Sequence, residues 1–487
     1  MRVSGSLDGL AQETTVPRRS GFKLWSSAIG FLVVLNLGAS TQLEATGTLA
    51  WKRDQVDAHI ESWPLPRVLE VISSATGWQI YVEPDEKYAV TAEFESLKPR
   101  EALQRLLGGL NFAVLPQTNG PAKLFVYRHS VSDATQLVQV TGKSAPDGRT
   151  RQPIANEWIV TLKTGSKDRI DALSKRLRAT VVGRLESVNA YRLRFENEPA
   201  ARTARAQLQG ESDVAAIENN FPIAPPGNLE PLSMSSGPSL SLTPNVSPSA
   251  DRVVIGLIDT AVQAQGTAFK DFVQPEVSLF DDYQPPADRI THGTAMAETI
   301  LDGVARALQE RGDASAKVSV SIVPIDIYGG NESTSTFDLA RGLYEALNRH
   351  ANIINLSLSG DRDSPLLKSL IQDATSHGVL LFAAAGNVPV TNPTYPAADP
   401  GVIAVTAGDS RGDIAPYANR GSFVDAMAPG MNVVHYQDSS WLGTGTSFST
   451  SWVTGWAAGF MASAGHSSSG TQAETLKRWG LPSNSRP

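Results

Sequence analysis

Val253-Val254-Ile255-Gly256-Leu257-Ile258 is an almost unbroken apolar run that ends on a carboxylate, Asp259. A strand with one wet face alternates apolar and polar residues. A run that is apolar at nearly every position needs cover on both faces, as strands of parallel sheets have. Comparable runs recur at 318–327, 353–358, 379–385 and 402–406. Between them lie stretches of helical period at 294–308, 336–348 and 365–377, and a closing helix is predicted at 448–464. In 336–348 the residues Phe337, Leu339, Leu343, Ala346 and Leu347 form one apolar stripe. Parallel neighbours cannot be joined by hairpins, so the alternation predicts an α/β fold with a doubly wound, mostly parallel sheet. Functional residues in such folds gather at the carboxyl ends of the strands.

Three side chains fall at such places. Asp259 ends the first strand, His292 in Thr291-His292-Gly293-Thr294 opens a helix, and Ser447 in Gly445-Thr446-Ser447-Phe448-Ser449-Thr450 opens the last one. Each has a plain structural explanation by itself: Asp forms turns, His packs at helix starts, and Gly-Thr-Ser caps helices. Together they supply a carboxylate, an imidazole and a hydroxyl. A serine hydroxyl is a weak nucleophile that needs a base for its proton and donors for the oxyanion. Asp, His, Ser is one of the chain orders in which that triad occurs. A rival nucleophile elbow, Gly408-Asp409-Ser410-Arg411-Gly412 with Asp425 and His435 downstream, is set aside. Pro416 and Gly421 oppose the helix that must follow such an elbow.

Residues 251–465 resemble a subtilase catalytic domain. The resemblance is carried by Val254-Ile255-Gly256-Leu257-Ile258-Asp259-Thr260, His292-Gly293-Thr294-Ala295-Met296-Ala297, Ala383-Ala384-Ala385-Gly386-Asn387 and Gly445-Thr446-Ser447-Phe448-Ser449. It implies a subtilisin-like fold and peptide-bond hydrolysis, with Asp259, His292 and Ser447 as the triad. Asn387, with the Ser447 backbone N–H, would hold the oxyanion. Leu356, Ser357, Leu358, Ser359 and Gly360 would form the edge that pairs with an extended polypeptide substrate, with Ala384 and Gly386 beside it and Thr394 near the pocket floor. No cofactor is required; structural calcium, frequent in the family, cannot be read from these residues. Two departures stand out: Ala261 where the family usually has Gly, and Ser451-Trp452 where it commonly has Pro and then His or Tyr.

The upstream half reads as smaller units. Residues 1–40 carry Arg18, Arg19 and Lys23 ahead of an apolar run at 24–39, as an export signal or membrane anchor would. Residues 51–131 predict a small α+β domain of order helix, strand, strand, helix, hairpin. It resembles the short N-terminal domain of secretins and TonB-dependent receptors, through Leu65-Pro66-Arg67-Val68-Leu69, Gly77-Trp78 and 97–107. That resemblance implies a periplasmic protein partner. Residues 154–222 predict a second α+β domain of order β-α-β-β-α-β. It is similar to the inhibitor-type propeptides of subtilases, through Trp158–Leu162, Val181-Val182-Gly183 and Ile217-Glu218-Asn219-Asn220. Residues 223–250, rich in Pro, Ser, Gly and Asn, predict a flexible connector. Residues 466–487 predict a polar, frayed tail with a short helix at 473–479.

A net charge of −7 gives no general argument for nucleic acid as a partner. The chain has no cysteine, which removes disulfides and thiolate metal sites. The reading is an exported serine endopeptidase made as a zymogen, its own propeptide domain covering the site. The alternative is a periplasmic binding or signalling protein whose protease fold is weakly active or inactive.

Overall fold

The computed structural model describes residues 46–52, 55–83, 88–115, 122–128, 131, 134, 136–138, 152–166, 169–224, 228–232, 242–245, 252–280, 283–313, 317–408, 413–465 and 467–481. The expected export segment 1–40 lies outside the described residues. So do residues 409–412 of the rival elbow.

The first unit runs β1 (Thr46–Trp51), β2 (Val56–Pro64), α1 (Leu65–Thr76), β3 (Gln79–Val82), β4 (Ala89–Leu97), α2 (Pro99–Leu107), β5 (Asn111–Leu115), β6 (Lys123–Tyr127) and β7 (Gln136–Leu137). It holds two sheets, β1-β2-β4 and β5-β6-β3-β7. The sequence reading missed β2, although Val56, Ala58 and Ile60 alternate buried with less buried neighbours as a strand requires. Leu69 and Ile72 of α1, Leu103 and Leu106 of α2, and Ile80, Leu124 and Val126 of the sheet share one core.

The second unit runs β8 (Glu157–Leu162), α3 (Ile170–Leu177), β9 (Thr180–Leu185), β10 (Ala190–Arg194), α4 (Glu198–Gln209) and β11 (Val214–Asn219). Its antiparallel sheet has the order β11-β8-β10-β9, with both helices packed on one core. Three short strands follow: β12 (Pro222–Ile223), β13 (Asn228–Leu232) and β14 (Thr243–Pro244).

The large unit contains β15 (Val253–Asp259), β16 (Val277–Ser278), α5 (His292–Glu310), β17 (Lys317–Val318), β18 (Val320–Asp326), β19 (Thr334–Ser335), α6 (Thr336–Asn348), β20 (Ile353–Leu356), α7 (Pro365–Ser376), β21 (Leu380–Ala384), β22 (Val402–Gly408) and β23 (Ala426–Pro429). It ends with β24 (Met431–Tyr436), β25 (Ser439–Thr444), α8 (Thr446–Ala464) and α9 (Ser468–Trp479). Seven strands form one parallel sheet of order β16-β18-β15-β20-β21-β22-β23. The α/β doubly wound expectation is met. Successive side chains of β15 go to opposite faces. Ile255 and Leu257 pack with α5 and α8, and Ile258 packs with α6 and α7. Order reverses at β15, between β18 and β20, which opens a crevice at their carboxyl ends.

Helix α8 is apolar on all sides because it is covered on all sides. Phe448, Val453, Ala457 and Ala458 are fully buried against α5 and the sheet. The crossing with α5 is tight: a Cβ on Gly455 would stand 1.8 Å from the Ile300 carbonyl oxygen, and one on Gly303 2.5 Å from that of Trp452.

Three expectations need correction. The segment 223–250 is not a free connector where it is described. Strand β12 pairs with β19, β13 with β25 and β14 with β17. Pairing through backbone bonds needs no apolar period, so composition gave no sign of it. The expected strand at 356–360 stops at Leu356, and beyond it Gly360 bridges to Tyr395. The expected frayed tail contains α9, whose Thr471 and Thr475 are buried and whose Trp479 packs on the core. Leu481 then donates its N–H to the Asp425 carbonyl at 3.0 Å.

Candidate active site

Asp259 sits at the last position of β15 and is fully buried. Both its oxygens lie against His292 Nδ1, at 2.8 and 2.9 Å. Oδ1 also accepts the Thr260 N–H at 2.7 Å. Ala261, at the position where the family usually has Gly, does not adopt a positive φ, so its methyl group is accommodated. The Ala261 carbonyl accepts the Thr291 hydroxyl at 2.6 Å.

The His-Gly-Thr sequence has a local reason. Thr291 caps α5, its Oγ1 accepting the Thr294 N–H at 3.2 Å. Gly293 N–H donates to Thr260 Oγ1 at 2.8 Å, and a Cβ at Gly293 would stand 2.1 Å from the Thr260 carbonyl oxygen. Only glycine lets the helix start lie this close to the aspartate turn. That approach brings His292 onto Asp259.

Ser447 is the second residue of α8 and is 1% exposed. Its hydroxyl donates to the Ser357 carbonyl at 3.0 Å. Ser357 Oγ donates back to the Ser447 carbonyl at 3.1 Å, and it accepts from Asn355 Nδ2 at 2.8 Å. His292 Nε2 is buried and has no hydrogen-bond partner. The Asp–His half of the constellation is therefore assembled, and the Ser–His half is not joined in this state. Hydrogen bonds between a nucleophile and its base often close only around substrate.

Asn387 follows the carboxyl end of β21. Its Oδ1 accepts the Thr446 N–H at 2.8 Å, which fixes the amide plane and leaves Nδ2 as the donor end. Gly445, at φ 151°, lies directly under that nitrogen, since a Cβ there would stand 2.9 Å from Nδ2. The first peptide groups of α8 add positive potential at the same place.

The expected substrate edge is split. Leu356, Ser357 and Leu358 are buried, while Ser359 and Gly360 are partly exposed. Ser357 thus serves Ser447 rather than offering its side chain to a ligand. Ala384 and Gly386 are buried, and Gly386 N–H donates to Thr446 Oγ1 at 3.1 Å. Thr394 donates to the Ala385 carbonyl at 2.6 Å. Ser449 bonds the Ala428 and Pro429 carbonyls, at 3.0 and 3.2 Å, and so ties α8 to β23. Ser451, in place of the common proline, contacts Ser357 Oγ at 3.2 Å and Met296 Sδ at 3.1 Å.

Sequence reasoning passed over Asn355 and Asp326. Asn355, fully buried, also accepts Thr454 Oγ1 at 2.9 Å, and its place two residues before Ser357 was the available signal. Asp326 ends β18 in register with Asp259. Burial, opposed by N–H donors from Gly329 and Tyr328 and helped by the neighbouring Asp259, raises its carboxyl above the ordinary range. Among the described residues no group of three or more His, Cys, Asp or Glu is arranged to hold a metal ion.

The second unit closes over this large one through charge and caps. Arg192 bonds Glu157 at 2.7 Å and Asp338 of α6 at 2.9 Å. Asn220 donates to Glu157 at 2.8 Å and accepts the Phe337 N–H at 3.1 Å. Burial pushes Glu157 up, but the hydrogen bonds from Arg192 and Asn220 outweigh it and hold the carboxyl low. Glu218 accepts Ser364 Oγ at 2.6 Å and the Leu366 N–H at 3.2 Å, at the start of α7.

The family model "Subtilase family" matches residues 250–481, and "Fervidolysin N-terminal prodomain" matches residues 140–220. Subtilisin Savinase of Lederbergia lenta is 34% identical over 161 residues, 33% of this chain and 58% of that protein. The thermostable alkaline protease of Halalkalibacterium halodurans is 33% identical over 169 residues, 34% of this chain and 45% of that protein. The chain thus spans about half the length of these curated relatives. Subtilisin J of Geobacillus stearothermophilus is 26% identical over 327 residues, 64% of this chain and 80% of that protein. Among solved structures, the epidermin leader peptide processing serine protease of Staphylococcus aureus superposes with a TM-score of 0.51 at 15% identity, over 68% of this chain and 95% of that one, a likeness of fold alone. Residues 250–481 are thus a subtilase-family domain, preceded by a fervidolysin-type prodomain at 140–220.

Proposed function

We propose that the protein is an exported serine endopeptidase made as a zymogen. Asp259, His292 and Ser447 are its triad, and the unit 154–222 is its inhibitory propeptide. The observation that carries the reading is the Asp259–His292 pair at the carboxyl end of β15, with Nε2 left unbonded. In the reaction Ser447 Oγ turns from the Ser357 carbonyl and attacks the scissile carbonyl carbon. His292 Nε2 takes its proton, and Asp259 stabilises the imidazolium. Asn387 Nδ2 and the Ser447 N–H receive the oxyanion. The intermediate collapses as His292 gives the proton to the leaving amine. Water then repeats the cycle on the acyl-enzyme.

Export rests on residues 1–40. No helix among the described residues is long and apolar enough to cross a membrane. A second reading, a binding protein with an idle protease fold, draws on one observation: the Ser447 hydroxyl is engaged by Ser357 and not by His292. A serine-directed fluorophosphonate separates the two. The protease reading expects labelling of the processed protein that Ser447→Ala abolishes; equal absence of label from both proteins would leave the binding reading standing.

A further inference from the structure

The module 46–138 does not merely precede the protease unit; in its sheet β5-β6-β3-β7, strand β6 is covered on both faces. In β6, Leu124 and Val126 point into the module's own core, with Ile80 of β3. Phe125, between them, points the other way and is fully buried against Met431 of β24 and Leu442 of β25. Tyr81 stacks on Phe125 with ring centroids 5.0 Å apart. The hairpin they cover runs straight into Gly445-Thr446-Ser447.

A second contact falls on the connector. Strand β13 lies antiparallel to β25, with Asn228 opposite Thr444 and Glu230 opposite Leu442. Lys123 of β6 bonds Glu230 at 2.5 Å, both side chains being less than one-fifth exposed. Upstream, Ile223 packs beside Gly360 and Tyr395, at the far end of the expected substrate edge. The connector therefore touches that edge at Ile223 and lies along β25 from Asn228, opposite Thr444, onward.

We propose that the module 46–138 is a built-in clamp on the leaving-group side of the catalytic serine. It holds strand β13 and the β24–β25 hairpin through Phe125 and the Lys123–Glu230 pair, and so delays cutting of the connector. The proposal rests on the protease reading and deepens it. The propeptide covers the edge on one side of Ser447, and the clamp covers the other. A charge pair with this little exposure is sensitive to loss of either partner, because the survivor is left desolvated.

The test uses the full chain. In the Ser447→Ala background, hydrogen exchange is followed at 228–232, 439–444 and, as a reference, 253–259. Lys123→Glu is expected to speed exchange in the first two segments about tenfold, within the usual range for coupling between sites, and to leave the third unchanged. The swapped pair Lys123→Glu with Glu230→Lys restores protection. With Ser447 intact, Lys123→Glu speeds connector cleavage by about the same factor and the swap reverses it. Unchanged exchange in both Lys123→Glu and Phe125→Asp overturns the clamp. Faster exchange with an unchanged cleavage rate in a fluorophosphonate-reactive protein overturns its regulatory role. Faster exchange with no labelling of any form overturns the protease reading instead.

Discussion

Ser447 and Ser357 bond each other twice, hydroxyl to carbonyl in both directions, at 3.0 and 3.1 Å. The pair parks the candidate nucleophile at the end of β20 while His292 Nε2 stays unbonded. Ser357→Ala removes one of the two bonds and leaves its own carbonyl in place. The expected result is a loss of about 1 kcal/mol in stability and a several-fold fall in kcat with KM nearly unchanged. Denaturant unfolding and peptide hydrolysis check the two halves separately. A KM change at constant kcat would return Ser357 to the role of a substrate contact.

Asn387 accepts the Thr446 N–H through its Oδ1, so its replacement removes the donor end and costs α8 one end bond, about 1 kcal/mol. Asn387→Ala is expected to lower kcat on the order of 10²–10³-fold with little change in KM, a magnitude carried over from subtilisin itself. Fluorophosphonate labelling would slow in parallel while folding, read by circular dichroism, stays normal. A loss confined to KM would remove Asn387 from the oxyanion site.

Arg192 bridges two nearly buried carboxylates, Glu157 of the propeptide unit and Asp338 of α6. Arg192→Met keeps the bulk and cuts the link between the two units, while Glu157 keeps Arg194 at 2.8 Å and Asp338 keeps Arg341 at 3.6 Å. The penalty expected is about 1.5–3 kcal/mol, the range for hydrogen bonds to charged groups, or roughly ten- to a hundredfold weaker hold of the propeptide on the protease unit. The cut propeptide would leave the complex earlier on size exclusion. Mass spectrometry of the product should place the new amino terminus within 222–250.

Asp302 and His435 set an acid-favoured contact between α5 and β24. Burial pushes the Asp302 carboxyl up to about 7, against the hydrogen bond from Asn432. His435 is raised as well, first by its hydrogen bond to Glu298. A raised folded-state value means the folded form holds its proton more tightly. The stabilisation from Asp302 is complete below the ordinary carboxylate range and is lost as pH rises through about 7. His435 adds a loss in the same direction above its ordinary value. The melting temperature should therefore fall from pH 5 to pH 8. Asp302→Asn should flatten that slope and raise Tm at pH 8 by about 2–4 °C. A wild-type Tm that rises over this interval would contradict the assignment.

Much of the large unit is legible from the chain alone. A run such as Val253–Ile258 reads as a strand covered on both faces, and β15 is packed on both. Sequence also marked Asp259, His292 and Ser447 as candidates by their places at strand ends and helix starts, and Asn387 through the family resemblance.

What the sequence could not give are the relations carried by backbone pairing and long-range burial. Strands β12 and β13 come from a stretch with no apolar period; only β19 and β25 make strands of them. Nothing local to β6 says what covers its outward face, which packs Phe125 against Met431 and Leu442. The sequence by itself determined which side chains are present and which segments must be buried, since period and residue type follow from local geometry. Only the tertiary structure decided that Ser447 faces Ser357 and that two upstream modules pack on the large unit. Those facts depend on which distant surfaces meet, and no local period encodes that.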